Sequence, residues 1–128
     1  MTLKDIRDNM ATFLPLSREA FFFAKIGTAT KCACLYDRPQ GAANGIKVGG
    51  MAYTGHTFRP LSMVIRGGTN AVEAEKWARE IHEAVRMRIV IINDTDGFLQ
   101  TVYDAPIPLG TDEKGVYEYS IGMDFYYF

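Results

Sequence analysis

Four groups of residues in this 128-residue chain have types and spacings suited to chemistry. His82-Glu83-Ala84-Val85-Arg86 begins like the zinc helix His-Glu-x-x-His, in which two imidazoles one turn apart hold the metal and the glutamate is the base. Arg86 stands where the second imidazole belongs, so the set is short of a ligand. Asp94-Thr95-Asp96-Gly97 resembles the middle of a calcium loop. The first position of such a loop would fall on Ile92 and its closing carboxylate on Tyr103, so the charge is missing where the ion needs it. Gly67-Gly68-Thr69-Asn70 lies between a strand-like and a helix-like run, where backbone N–H groups can cradle a phosphate. It has neither the P-loop lysine nor the dinucleotide glycine spacing. His56, in a Gly/Thr-rich loop, could in principle serve a nucleophile such as Ser62, but triad partners are placed by the fold and not by proximity in the chain. Cys32 and Cys34 are too close for ordinary disulfide geometry and have no further metal ligands nearby, so they read as buried structural thiols. No catalytic residue, cofactor or metal is therefore expected. An anion-binding or hydrolytic domain using Gly67–Asn70 or His56 stays open as an alternative.

Composition narrows the partners. Fourteen Lys and Arg against fifteen Asp and Glu give a formal charge of −1, which is no basic footprint for nucleic acid and no polybasic patch for a membrane. The longest apolar runs, near residues 21–23 and 89–92, fall far short of a spanning helix. Charged residues among the first eight positions do not suit a secretory signal. The chain reads as one soluble domain, residues 1–128, that folds in a reducing compartment.

Periodicity supplies the elements. Thr2-Leu3-Lys4-Asp5 is a capping-box signal, and Leu3, Ile6, Met10, Phe13 and Leu14 form a helical stripe that Pro15 ends. Residues 21–26 and 31–36 read as a hairpin across Gly27-Thr28-Ala29-Thr30. Residues 38–50 are rich in turn formers and read as a loop, followed by a strand over 58–66. Residues 70–87 are the clearest helix, with Asn70 as cap and Ala74, Trp77, Ala78, Ile81, Ala84 and Val85 as the buried stripe. Residues 89–92 read as a short buried strand, 93–97 as a turn and 98–104 as a strand, with Pro106 and Pro108 interrupting the ladder. The expected fold is α+β: a mixed, mostly antiparallel sheet of about 4–6 strands carrying an N-terminal helix and one long amphipathic helix.

The last stretch dominates this plan. From Tyr117 the odd positions read Tyr, Tyr, Ile, Met, Phe, Tyr, while the even positions begin Glu118, Ser120, Gly122, Asp124. Such alternation means a strand with one apolar face, and twelve residues would span roughly 40 Å. A strand that long is expected either at the sheet's centre with a projecting end or as a device for pairing with another chain.

The run Val116-Tyr117-Glu118-Tyr119, with Gly110-Thr111-Asp112-Glu113-Lys114-Gly115 before it and Asp124-Phe125-Tyr126-Tyr127 after it, resembles the C-terminus of small minor capsid proteins of tailed phages and prophages of Gram-positive bacteria. Thr2-Leu3-Lys4-Asp5-Ile6, Lys31-Cys32-Ala33-Cys34-Leu35-Tyr36, Val48-Gly49-Gly50 and residues 60–81 resemble the same group, so the likeness runs in order along nearly the whole chain. The aromatic triplet at 21–23 is richer than the family pattern. The resemblance implies a single tail-terminator-like domain, non-enzymatic, assembled as a ring of typically six subunits at the head–tail junction. Such a ring would cap the tail tube and join it to the head–tail connector protein. A head-completion adaptor on the portal side is the nearest alternative. The implied location is the neck or tail of the virion, after synthesis in the host bacterial cytoplasm, with no sequence-specific nucleic acid and no membrane as partner. On this reading Tyr53, His56, Phe58, Asp112, Glu113, Lys114, Phe125, Tyr126, Tyr127 and Phe128 are the candidate subunit-interface residues.

Overall fold

The computed structural model describes residues 1–39 and 57–127. The elements in chain order are α1 (Leu3–Met10), a 3-10 turn (Arg18–Ala20), β1 (Phe21–Phe23), β2 (Lys31–Asp37), β3 (Thr57–Gly67), α2 (Ala71–Val85), β4 (Arg88–Ile92), β5 (Thr95–Thr101), β6 (Ile107–Thr111) and β7 (Tyr117–Tyr127). The fold is α+β, with two helices on one mixed sheet of seven strands, one more than the upper end of the expected range. The order is β1-β2-β3-β7-β5-β4, with β6 also paired to β7.

The additional strand is β6. Pro108 does not remove this segment from the sheet, because its missing donor falls on a strand bordered only by β7. The interruption survives as a register shift between Pro108 and Gly110. β5 and β6 thus lie end to end along one edge of β7, at Met123–Tyr127 and Tyr117–Ser120 respectively.

A second difference concerns β1 and β2, which run parallel in register Phe21↔Ala33 and are not a hairpin. Ala24, at φ 63°, turns the chain sharply after Phe23, and the following residues return across the Phe22 ring. A Cβ on Gly27 would meet that ring at 2.5 Å, so only glycine allows so close a return. The expected turn at 93–97 is shorter than its sequence suggests. Asn93 and Asp94, at φ 52° and 60°, form a two-residue turn of the primed kind between β4 and β5, and Thr95–Gly97 already belong to β5.

The terminal strand β7 is central, and its described residues are paired on both sides as far as Tyr127. Its eleven residues pair with β3 from Glu118 to Tyr127 on one side, and with β6 and then β5 on the other. Its odd positions face the helices: Ile121, Met123 and Phe125 are buried together with Leu61, Met63 and Ile65 of β3, Leu99 of β5, and Val90 and Ile92 of β4.

Both helices add to this one cluster. α1 is closed by a complete capping box between Thr2 and Asp5, and it buries Ile6 and Met10. It reaches both outer strands. Arg7 Nη1 donates to the Phe21 carbonyl of β1 at 2.6 Å, and Asn9 Nδ2 donates to the Ile91 carbonyl of β4 at 3.0 Å. Because β1 and β4 end the strand order on opposite sides, these two bonds tie a curled sheet together across α1. α2 begins at Asn70, whose side-chain oxygen accepts from the Glu73 N–H, and buries Ala74, Trp77, Ala78, Ile81, His82 and Val85. Ala74 lies so close to β3 that a Cβ on Gly67 would come within 2.6 Å of its methyl. Trp77 also donates from Nε1 to the Pro15 carbonyl at 2.9 Å, fixing the segment that follows α1.

Candidate functional site

Several of the groups read as possible chemistry have structural employment, and His56 lies outside the described residues. Asn70 caps α2 with its own side chain, and the Gly68 carbonyl accepts from the Tyr117 N–H. The Gly67–Asn70 turn is thus held to α2 and to the start of β7. His82 is 4 % exposed, and its Nε2 lies 2.9 Å from the Tyr103 carbonyl, joining α2 to the segment after β5. Ser62 lies diagonally across the β3–β7 pair from Ser120, their hydroxyls 3.4 Å apart. Cys32 and Cys34 are fully buried under the 24–30 segment: Cys32 Sγ donates to the Ala29 carbonyl, and Tyr36 Oη accepts from the Ile26 N–H. Burial pushes both thiols above their ordinary range, so they stay protonated and poorly nucleophilic. Among the described residues no three His, Cys, Asp or Glu side chains converge as a metal site would require. Nor is any described helix long and apolar enough to cross a membrane.

The expected interface residues separate into distinct roles. Tyr53, His56 and Phe128 lie outside the described residues. Phe125 is fully buried, packed by Leu99 on one side and by the backbone of Gly97, where even a Cβ would collide with its ring. It is a core residue of the fold, and β7 is paired on both sides at this point. Tyr127 is half-buried and stacks on Phe125 at 5.0 Å between ring centroids. Asp112 organises the β6–β7 turn. Its Oδ1 accepts from the N–H groups of Lys114 and Val116, and its Oδ2 accepts from Arg66 at 2.9 Å. Those donors, the Val116 N–H foremost, hold its carboxyl below the usual range. Glu113 and Lys114 stand exposed at the tip of that turn.

Phe58 and Tyr126 belong to a feature that crosses the sheet. They are opposite one another on β3 and β7, rings tilted with centroids 5.2 Å apart. Tyr126 is next opposite Phe98 of β5, and Phe98 opposite Ile89 of β4. The row Phe58–Tyr126–Phe98–Ile89 runs over four adjacent strands on the face away from both helices. Its exposure rises toward β4: the first three members are half-buried and Ile89 is 78 % exposed.

Seven of the nine exposed large apolar side chains among the described residues lie on or just before two strands, the others being Met1, and Val72 on α2. Met87, Ile89 and Ile91 are 63 %, 78 % and 63 % exposed on and just before β4. Val102, Tyr103, Ile107 and Leu109 are exposed on β6 and the segment leading into it. Both strands are bordered by another strand on one side only. Sequence reading missed these residues. Residues 89–92 read as buried throughout, yet only Val90 and Ile92 face the core. A run of four β-branched residues carries no alternation from which the split could be seen.

Ion pairs brace both faces of the sheet, Arg66 and Arg38 on the outer face and Arg59 on the helix face. Arg66 bridges Asp112 and Glu118, Arg38 meets Asp124, and Arg59 grips both oxygens of Asp37 at 2.8 and 3.0 Å. The Arg59 guanidinium holds the Asp37 carboxyl below its ordinary range. These three cations are engaged within the fold. Comparison of the chain with protein-family models, with curated proteins and with solved structures returns no match in any of the three.

Proposed function

We propose that this chain is a non-enzymatic structural subunit of the phage head–tail junction, forming a ring that terminates the tail tube and joins it to the head connector. The observation that carries the reading is the concentration of large exposed apolar residues on two one-sided strands, β4 and β6. A strand bordered on one side offers backbone donors and acceptors as well as side chains, which is how strand addition builds assemblies. Monomeric proteins blunt such edges with charge, proline or cover; β6 carries Pro108 and a register shift, whereas β4 carries neither proline nor bulge. The resemblance at 110–127 supplies the identity of the assembly, and it implies a mixed sheet carrying helices. In this reading the subunit is a rigid block: β7, clamped between β3 and β5/β6, supports both apolar edges. The partners are further copies of the chain, the tail-tube protein and the connector protein, and the place is the virion neck.

Negative-stain imaging with purified tail-tube subunits tests this. Closed rings seated on tube ends, with tube length limited in their presence, are expected. Tubes whose growth and ends are unaffected would overturn the tail-terminator role, and binding to the connector alone would move the subunit to the portal side.

A further inference from the structure

We propose that the β4 edge is a self-complementary docking site, and that a second copy of the chain pairs with it antiparallel about a two-fold axis at Ile89.

The edges of the sheet differ in how they are guarded. β1 is only three residues long and its Phe21 carbonyl is taken by Arg7. β6 carries Pro108 and a register shift, both of which spoil pairing. β4 has neither proline nor bulge, and the side chains on its outer face are Ile89 and Ile91. The backbone direction comes from the ladder. Ile92 and Thr95 close a two-residue turn, so the even positions of β4 bond to β5 and the odd positions point away. Asn9 shows this directly, since it reaches the Ile91 carbonyl from outside the ladder. α1 therefore attends the Ile91 end and leaves Ile89 as the open position.

The side chains fit this axis. A two-fold at Ile89 sets Ile89 against its own copy and brings each copy's Ile91 toward the other's chain just before β4, where Met87, at φ 49°, turns out of the strand. Charge selects the antiparallel direction. Exposed Arg86 stands before the start of the strand and exposed Asp94 in the turn beyond its end, while Arg88 is stacked on Phe13 and Asp96 lies on β5 opposite Ile91. Antiparallel pairing brings each basic end to the other copy's acidic end, twice, whereas parallel pairing would place like charges together. An isologous contact of this kind makes the same bonds reciprocally. It does not depend on the ring reading.

Sedimentation of the full chain, wild type beside the double variant Ile89→Lys/Ile91→Lys, reads the contact. Both side chains are largely exposed, so the variant is expected to keep the wild-type unfolding midpoint while its dissociation constant for the two-fold contact rises at least tenfold. The wild type is expected at twice the variant's mass, whether that variant is a single subunit or a ring. Equal masses across the accessible concentration range overturn the proposal without bearing on ring formation. Ile89→Cys supplies the geometric check. The axis brings the two thiols within disulfide range, so a covalent dimer is expected on oxidation, and Val102→Cys, exposed away from the axis, is expected to give none. Equal cross-linking of the two variants contradicts the axis. Arg86→Glu is expected to weaken association at low salt, and Arg86→Glu/Asp94→Arg to restore it. Failure of the swap to restore it removes the antiparallel assignment.

Discussion

Phe125 shows how one side chain decides what its segment does. Its ring fills the space above Gly97 and beside Leu99, and it is fully buried. Phe125→Ala is expected to destabilise the fold by about 3–5 kcal/mol, read as a lower denaturant midpoint at unchanged slope. Gly97→Ala is expected to destabilise as well, because its new methyl would overlap that ring. The cysteines make a separate test. With both thiols buried, a thiol reagent is expected to find no reactive group in the native protein and two after unfolding. Their folded pKa values lie above the ordinary 9.0, so the fold favours the protonated thiols. That contribution is complete below pH 9 and is lost as pH rises through the higher folded values. At this scale the sequence was legible for the thiols, for the Asn70 cap and for the odd-numbered face of 117–127, since each is a local or periodic signal. It was not legible for His82, whose partner is the Tyr103 carbonyl twenty-one positions away.

At the scale of elements, the β6–β7 turn depends on one carboxylate. Asp112 accepts two backbone N–H bonds and one from Arg66, and its folded pKa lies below the ordinary 3.8. A depressed carboxyl stabilises the fold fully above its ordinary pKa and loses that contribution as pH falls through the folded one. Asp37, held by Arg59, acts in the same direction. Stability is thus expected to drop below about pH 4, and Asp112→Asn is expected to lower the midpoint at pH 7 while making the acid drop smaller. The comparison is thermal unfolding of both proteins at pH 3 and pH 7. Removing residues 125–128 makes a different claim about β7. The segment includes a core ring and pairs with β3 and β5, so truncation is expected to abolish cooperative unfolding. A truncated chain that still melts cooperatively would show the strand's end to be dispensable.

The whole molecule is a curled sheet around two helices, with α1 tied to both outer strands and apolar residues left on β4 and β6. The α+β class and the N-terminal helix could be read from period and caps. The parallel β1–β2 pair could not, because two short apolar runs across a glycine-containing loop look the same whether the chain doubles back or returns to start again beside itself. The centrality of β7 was also beyond the sequence. A long alternating strand shows which face is apolar and says nothing of how many neighbours it has. Interface residues sought at the aromatic end of β7 therefore included a core ring, while Ile89 and Ile91 stood outward on β4. Assembly is the behaviour expected of a molecule with an apolar, one-sided strand such as β4. The mass of the full chain in solution, measured over a wide concentration range alone and with tail-tube subunits, tests this most directly. A discrete assembly of fixed subunit number is expected in at least one of these conditions. A strictly monomeric chain in both, at every concentration reached, would contradict it.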